Sequence, residues 1–506
     1  MRLQGVMQPL KDNMKFKSIT EKISEKTFPI NIYGISESGK SYIINGIFEE
    51  NDNSMVVVTH SDVDAKNLYE DLSFYTTDVF YFPVREVVFY NVDAISGDLR
   101  WARLKVIKEI LQNERKKIIV TSIDALTSLY TPKEYYLRYS MIIKTGDDID
   151  LKEISKSLLQ CGYERVEVVE GKGEFSFRGG ILDVFPPTSA YPYRVELFGD
   201  EVDSIRTFNT ESQRSIEKVE EFSIFPSKEV IVDDECRSRA VQNINEELKK
   251  VIANVSKENK ESVEKIKGIV GKNIELLNNT YYFETIDSYL PFFYEKLDSF
   301  FDYLQGYTFV VDDFKRSSGK MESIYYEFNE NYMSFLQRGD ILPSQNSLLL
   351  NKGELESKLE NSSLITLSSF LNKSDGLFNT VDIGFEEVTL NKYNGQLNML
   401  IEDIQERKEK KYKTVILAGT RPRGERLVKT LMEKGIFSTY KDSIDKIEAG
   451  EVVITFGNLL RGFDYPELEL SIISDKDIFG ETRRKRSGKA VRKKGVAKIT
   501  SFAELK

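Results

Sequence analysis

Eight consecutive residues carry the strongest chemical signal in the sequence. Gly34-Ile35-Ser36-Glu37-Ser38-Gly39-Lys40-Ser41 has the spacing of a phosphate-binding loop, G-x-x-x-x-G-K-[ST]. Gly34 and Gly39 would let the backbone curl its N–H groups around an anion, Lys40 would reach the outer phosphates, and the Ser41 hydroxyl would hold Mg²⁺. ATP with Mg²⁺ is the cofactor this pattern asks for. Hydrolysis needs more than the loop: a second acid to orient metal and water, and an arginine worth about 10³ to 10⁵ in rate. The best acid is Asp312, in the Asp312-Asp313 pair that closes an apolar run, and it lacks the Glu that usually follows in motor NTPases. Arg461-Gly462 follows a later strand, but nothing resembles Q-x-x-G-R-x-x-R. The reading is weak or absent nucleotide binding and no turnover, with no catalytic residue assigned.

Other chemistries have little to work with. The single histidine, His60, stands after the apolar run 55–58 and reads as a strand-end surface residue, which removes most hydrolase and metalloenzyme mechanisms, since triads and His-based zinc sites need imidazole. Cys161 and Cys236 are too few for a disulfide framework or a thiolate metal site, and no metal is expected. No apolar stretch approaches the roughly 18 residues of a membrane span, and the first 16 residues lack a signal-peptide core. A cytoplasmic protein that does not enter a membrane is expected.

The elements that must position the loop alternate between strand and helix. Phe28, Ile30 and Ile32 have period two, and Ile43, Ile44, Ile47 and Phe48 recur at helical spacing beyond the loop. Strands are predicted over 55–59, 79–82 and 117–121, and helices over 63–74 and 98–113, which together make βαβ units on a parallel sheet. Residues 164–232 are instead rich in Val, Phe, Tyr and Ile, with turns at Gly179-Gly180, Pro186-Pro187 and Gly199-Asp200, as in an antiparallel β-rich domain. Residues 237–280 read as one or two amphipathic helices, 281–304 as an aromatic helical stretch and 307–311 as a buried strand. From about Leu364 a second α/β unit is predicted, with strands over 414–418, 451–456 and 468–474.

Length and charge agree with several domains. A chain of 506 residues exceeds one core at about 100 to 200 residues per domain, and 40% hydrophobic residues with 12 prolines exclude a disordered chain. The net charge of −10 hides an asymmetry: residues 481–506 hold ten Lys/Arg against two Glu, leaving −18 on the rest. An acidic body is a poor clamp for duplex DNA. The segment Arg483 to Lys494 reads as a solvated linker, the competing view being a phosphate-contacting tail.

On the strand predicted from Tyr193 to Phe198, Tyr193, Val195 and Leu197 share one face and Arg194, Glu196 and Phe198 the other. An exposed Arg with a Phe is a typical interface anchor. The plainer reading pairs Arg194 with Glu196 or Asp183 and packs Phe198 under the Gly199 turn.

Two α/β units, a β-rich insertion, and the runs R-G-G-I-L-D-V-F-P from Arg178, Y-R-V-E-L-F from Tyr193, Leu459-Leu460-Arg461-Gly462-Phe463 and I-T-S-F-A-E-L-K from Ile499 resemble the N-terminal, UvrB-like half of the bacterial transcription-repair coupling factors, the Mfd family. The resemblance implies two RecA-like parallel-sheet units with an inserted β-rich (α+β) domain. It divides the chain into a first unit at 1–145, an inserted domain at 146–225, a helical return at 226–350, a degenerate second unit at 351–480 and a basic linker at 481–506. It implies a piece of a longer protein that displaces stalled RNA polymerase by ATP-dependent translocation on double-stranded DNA and recruits UvrA for nucleotide excision repair. This segment would bind UvrA through Arg178, Arg194 and Phe198 and restrain the motor, with RNA polymerase and DNA met by parts beyond it. The alternative is an active UvrB-like P-loop ATPase or helicase. UvrB itself fits less well, since Tyr81 to Asp98 is short and poor in tyrosine for its DNA-gripping hairpin.

Overall fold

In the computed structural model residues 3–85, 89, 97–112, 114–254, 260–371 and 380–480 are described. The basic linker, the closing I-T-S-F-A-E-L-K run and most of 86–96 lie outside them.

Met55, Val56, Val57 and Val58 have no exposure, as a strand covered on both faces requires. The strand Met55–Thr59 lies inside a seven-stranded sheet ordered Val381–Gly384, Ile30–Tyr33, Ser363–Ser368, Thr308–Asp312, Met55–Thr59, Ile118–Ser122, Val79–Tyr81. Every pairing in it is parallel, and helices Glu37–Glu50, Asp62–Tyr75 and Gly97–Gln112 follow Ile30–Tyr33, Met55–Thr59 and Val79–Tyr81 along the chain.

Two of these strands correct the expected start of the second unit at 351. Ser363–Ser368 sits between Ile30–Tyr33 and Thr308–Asp312, and Val381–Gly384 forms the edge beyond Ile30–Tyr33. Leu364, Ile365 and Leu367 are fully buried, and such a run has the same appearance whichever sheet receives it. Pairing, which is non-local, decides.

The second sheet is ordered Val388–Thr389, Phe463–Tyr465, Leu470–Ile473, Lys413–Ala418, Val452–Phe456, Ser438–Tyr440, parallel except for the antiparallel pairings of Phe463–Tyr465. Between the α/β strands stands a six-stranded sheet ordered Ser215–Val219, Glu201–Phe208, Tyr193–Phe198, Ile181–Val184, Glu174–Arg178, Glu164–Arg165. Its inner face, with Phe175, Leu182, Val184, Val195 and Ile205, packs on Ile154 and Leu158 of helix Leu151–Gln160 in a core of its own. The architecture is therefore α/β, two RecA-like units with an inserted β-rich domain.

Helices Asp234–Asn254 and Lys260–Thr280 pair through Ala240, Ile244, Ile266 and Val270. The helix expected over 281–304 is instead broken into short helices Ile286–Tyr289, Leu290–Phe293 and Phe300–Tyr303, with a two-residue strand, Asp298–Ser299, pairing with Leu129–Tyr130 between the last two. Its aromatics fill two cores at once, with Phe292 and Phe293 in one and Phe300 and Tyr303 in the other, which a straight helix could not do. Among the described residues no group of His, Cys, Asp and Glu is placed to hold a metal ion, and no helix is long and apolar enough to cross a membrane.

Candidate functional site

The phosphate-loop residues gather at the carboxyl ends of the first sheet's strands, where open α/β sheets place their ligands. Ile30–Tyr33 ends in Gly34, whose φ of +79° is left-handed and whose added Cβ would strike Phe385 O at 1.9 Å. Only glycine fits there. The turn leads into helix Glu37–Glu50, which contains Gly39, Lys40 and Ser41. Asp312 ends its strand two positions across the sheet, and Lys40 Nζ lies 2.6 Å from its Oδ1. Burial raises the Asp312 carboxyl above its ordinary range, against the pull of Lys40. The residues the motif nominated are thus brought together, with Lys40 on Asp312 and the Ser41 hydroxyl on Ser38 O at 2.6 Å.

A residue that no motif indicated completes the site. Glu387, just past the edge strand, accepts the Ser36 N–H at 2.7 Å and the Ser36 hydroxyl at 2.9 Å. The Tyr465 hydroxyl lies 3.3 Å from the same carboxylate and 3.2 Å from Gly39 O. Burial pushes the Glu387 carboxyl up to about 7, with Ser36, Tyr465 and Lys40 pulling the other way. A second contact runs from Asp71, which takes the Ser38 hydroxyl and the Leu460 N–H, the latter at 2.7 Å, while the Arg461 N–H donates to Ser38 Oγ at 3.0 Å. Burial pushes Asp71 up to about 6. Arg461 does not face the loop as a free cation: its guanidinium bonds Asp477 Oδ1 at 2.9 Å and Leu390 O at 3.2 Å.

The second set of candidates lies at one end of the six-stranded sheet. Arg178 pairs with Ile181 across the two-residue turn Gly179-Gly180, and Phe198 pairs with Glu201 across Gly199-Asp200. Positive φ at Gly179 and Gly199 closes these hairpins tightly. Ile181 pairs with Glu196, so the two tips are neighbours. Phe198 is 83% exposed, and Ile181 and Arg178 are exposed beside it.

Arg194 is not displayed but follows the plainer reading, in which it pairs with Asp183. Its guanidinium forms a two-pronged pair with Asp183 at 2.7 and 2.8 Å, reaches Gln213 and stacks 4.4 Å from the Phe208 ring centroid. The Asp183 bond holds its charge more firmly than usual. The cause is the register, which sets Arg194 opposite Asp183 with Phe208 entering from the next strand. His60 stands at the end of the strand Met55–Thr59 as read, half-buried and 3.2 Å from Asp64.

Residues 141–230 match the family model described as "UvrB interaction domain". Among curated relatives, the transcription-repair-coupling factor of Bacillus subtilis (strain 168) is 29% identical over 99% of this chain and 42% of that protein. Its namesake in Staphylococcus epidermidis (strain ATCC 12228 / FDA PCI 1200) is 26% identical over 98% of this chain and 42% of that protein. The one in Staphylococcus aureus (strain MRSA252) is 26% identical over 94% and 40%. The chain spans about two fifths of the length of the curated relatives it matches. These matches bear out the resemblance that Arg178 to Pro186 and Tyr193 to Phe198 carried: from end to end the chain is similar to the UvrB-like N-terminal half of the transcription-repair coupling factors.

Proposed function

We propose that this chain is the UvrB-like recruitment and regulatory module of a transcription-repair coupling factor, binding UvrA and restraining the parent protein's motor without catalysing. The parent would translocate on double-stranded DNA with ATP, displace stalled RNA polymerase and hand the lesion to UvrA. The observation that carries the reading is the match of 141–230 to a UvrB interaction domain, on a unit that holds Phe198 and Arg178 out at two adjacent tips. A large exposed aromatic beside an arginine is the composition of a binding hot spot. Arg194 acts as a positioning residue, fixing Asp183 and the strand behind the tips.

The test is a titration of UvrA with Phe198→Ala and Arg178→Ala, after each is shown to melt near the parent temperature. Each truncation should cost more than about 2 kcal/mol, or roughly thirtyfold in affinity. Parental affinity in both would remove the site. Arg194→Ala is a poor probe, because it strands the buried Asp183 carboxylate and destabilises the unit. In the same preparation ATP turnover should be absent. Turnover abolished by Lys40→Ala would instead establish the ATPase reading.

A further inference from the structure

Four of the residues a nucleotide would call on are engaged inside the protein. The Ser36 N–H and hydroxyl hold Glu387, Lys40 faces Asp312, the Ser41 hydroxyl faces Ser38 O, and Arg461 is on Asp477. The Glu387 carboxylate also fills the hollow, its Oε2 standing 2.1 Å from where a Cβ on Gly39 would be. The backbone seals the arrangement: Glu387 N–H donates to Gly34 O at 3.1 Å and Phe385 N–H to Tyr33 O at 2.9 Å. As placed, these residues do not fit ATP and Mg²⁺.

We infer that the loop is an intramolecular carboxylate site whose resident ligand is Glu387, and that polyphosphate is kept out by this occupant and not by decay of the loop. A carboxylate presents two oxygens to N–H and O–H donors much as a phosphate edge does. Being tethered, Glu387 competes at an effective concentration on the order of millimolar. Asp312 offsets part of the attraction that Lys40 offers an incoming anion. The loop keeps its full motif because it has a ligand to hold. Through Glu387 it fastens the connection between the two α/β units, 351 residues along the chain from Ser36.

The full chain is titrated calorimetrically with pyrophosphate and with Mg·ADP. The parent and Glu387→Gln, whose amide fills the same hollow and still accepts from Ser36, should show no saturable binding. Glu387→Ala should bind pyrophosphate saturably, at least about tenfold more tightly than the limit the parent titration sets, and adding Lys40→Ala should abolish that gain. If Glu387→Ala fails to fold, Glu387→Asp withdraws the carboxylate by one methylene while keeping its charge, and must show the gain in its place. Saturable binding by the parent that Glu387→Ala leaves unchanged would overturn the inference, as would a folded Glu387→Ala and a folded Glu387→Asp that both bind nothing. UvrA affinity should be parental in every folded variant, since the hairpin tips lie in another unit, and so the result stands apart from the UvrA reading.

Discussion

Glu387 shows how much one side chain decides. An acid raised from 4.5 to about 7 by burial holds its proton more tightly folded than unfolded between those values. Stability therefore falls as pH rises through this window, and the penalty is complete above it. Glu387→Gln removes the titration. It should melt with the parent near pH 4 and above it near pH 8, the gap growing to roughly 3 kcal/mol at 1.36 kcal/mol per unit. Asp71 slopes the same way in both proteins, so the difference reports Glu387 alone. Melting temperatures that run parallel at all pH values would mean the carboxyl is not buried as described. The loop itself was readable because its residues are consecutive. Glu387 was not, because nothing in Gly384-Phe385-Glu386-Glu387 marks it until the strand Val381–Gly384 pairs with Ile30–Tyr33 and carries it alongside Gly34.

At the scale of elements, period and turn residues located strands and helices but not their partners. Tyr193 to Phe198 alternates as read, with Val195 buried and Phe198 exposed. Of the two partners read for Arg194, Glu196 and Asp183, the register chose Asp183, and only pairing supplies the register. Ser363–Ser368 is the same lesson in a parallel sheet. The hairpin tips depend on local backbone: Gly199 has φ +67° and no atom within 4 Å of an added Cβ. Gly199→Ala therefore meets no clash and bears only the left-handed cost of about 1 to 2 kcal/mol. The β-rich unit should lose that much stability in thermal unfolding, and UvrA should bind more weakly as Phe198 shifts. An alanine variant as stable as the parent would show that the turn does not need the positive φ.

On the scale of the molecule, the helix that follows the phosphate loop is buried all round, from Ser38 to Phe48 save Lys40. Its far side is covered by the N-terminal helices, Tyr42 donating to Val6 O at 2.8 Å, and by the second sheet, with Tyr42 5.5 Å from Phe463 and 5.9 Å from Tyr465 between ring centroids. Residues of both α/β units thus share one core, Ile43 and Val57 with Val415 and Ile472. An NTPase that closes two units on its nucleotide needs a seam that can open; here the seam is core, latched at Glu387 and Asp71. The β-rich unit keeps its own core around Val195 and Ile205. Two calorimetric transitions should follow, one for both α/β units together and one for the insertion. Tyr42→Ala empties a fully buried ring and should lower the first by about 3 to 5 kcal/mol without moving the second. Val195→Ala should do the reverse on a smaller scale. Hydrogen exchange assigns the transitions to segments, and the shared-core account fails if the strands Lys413–Ala418 and Met55–Thr59 open separately.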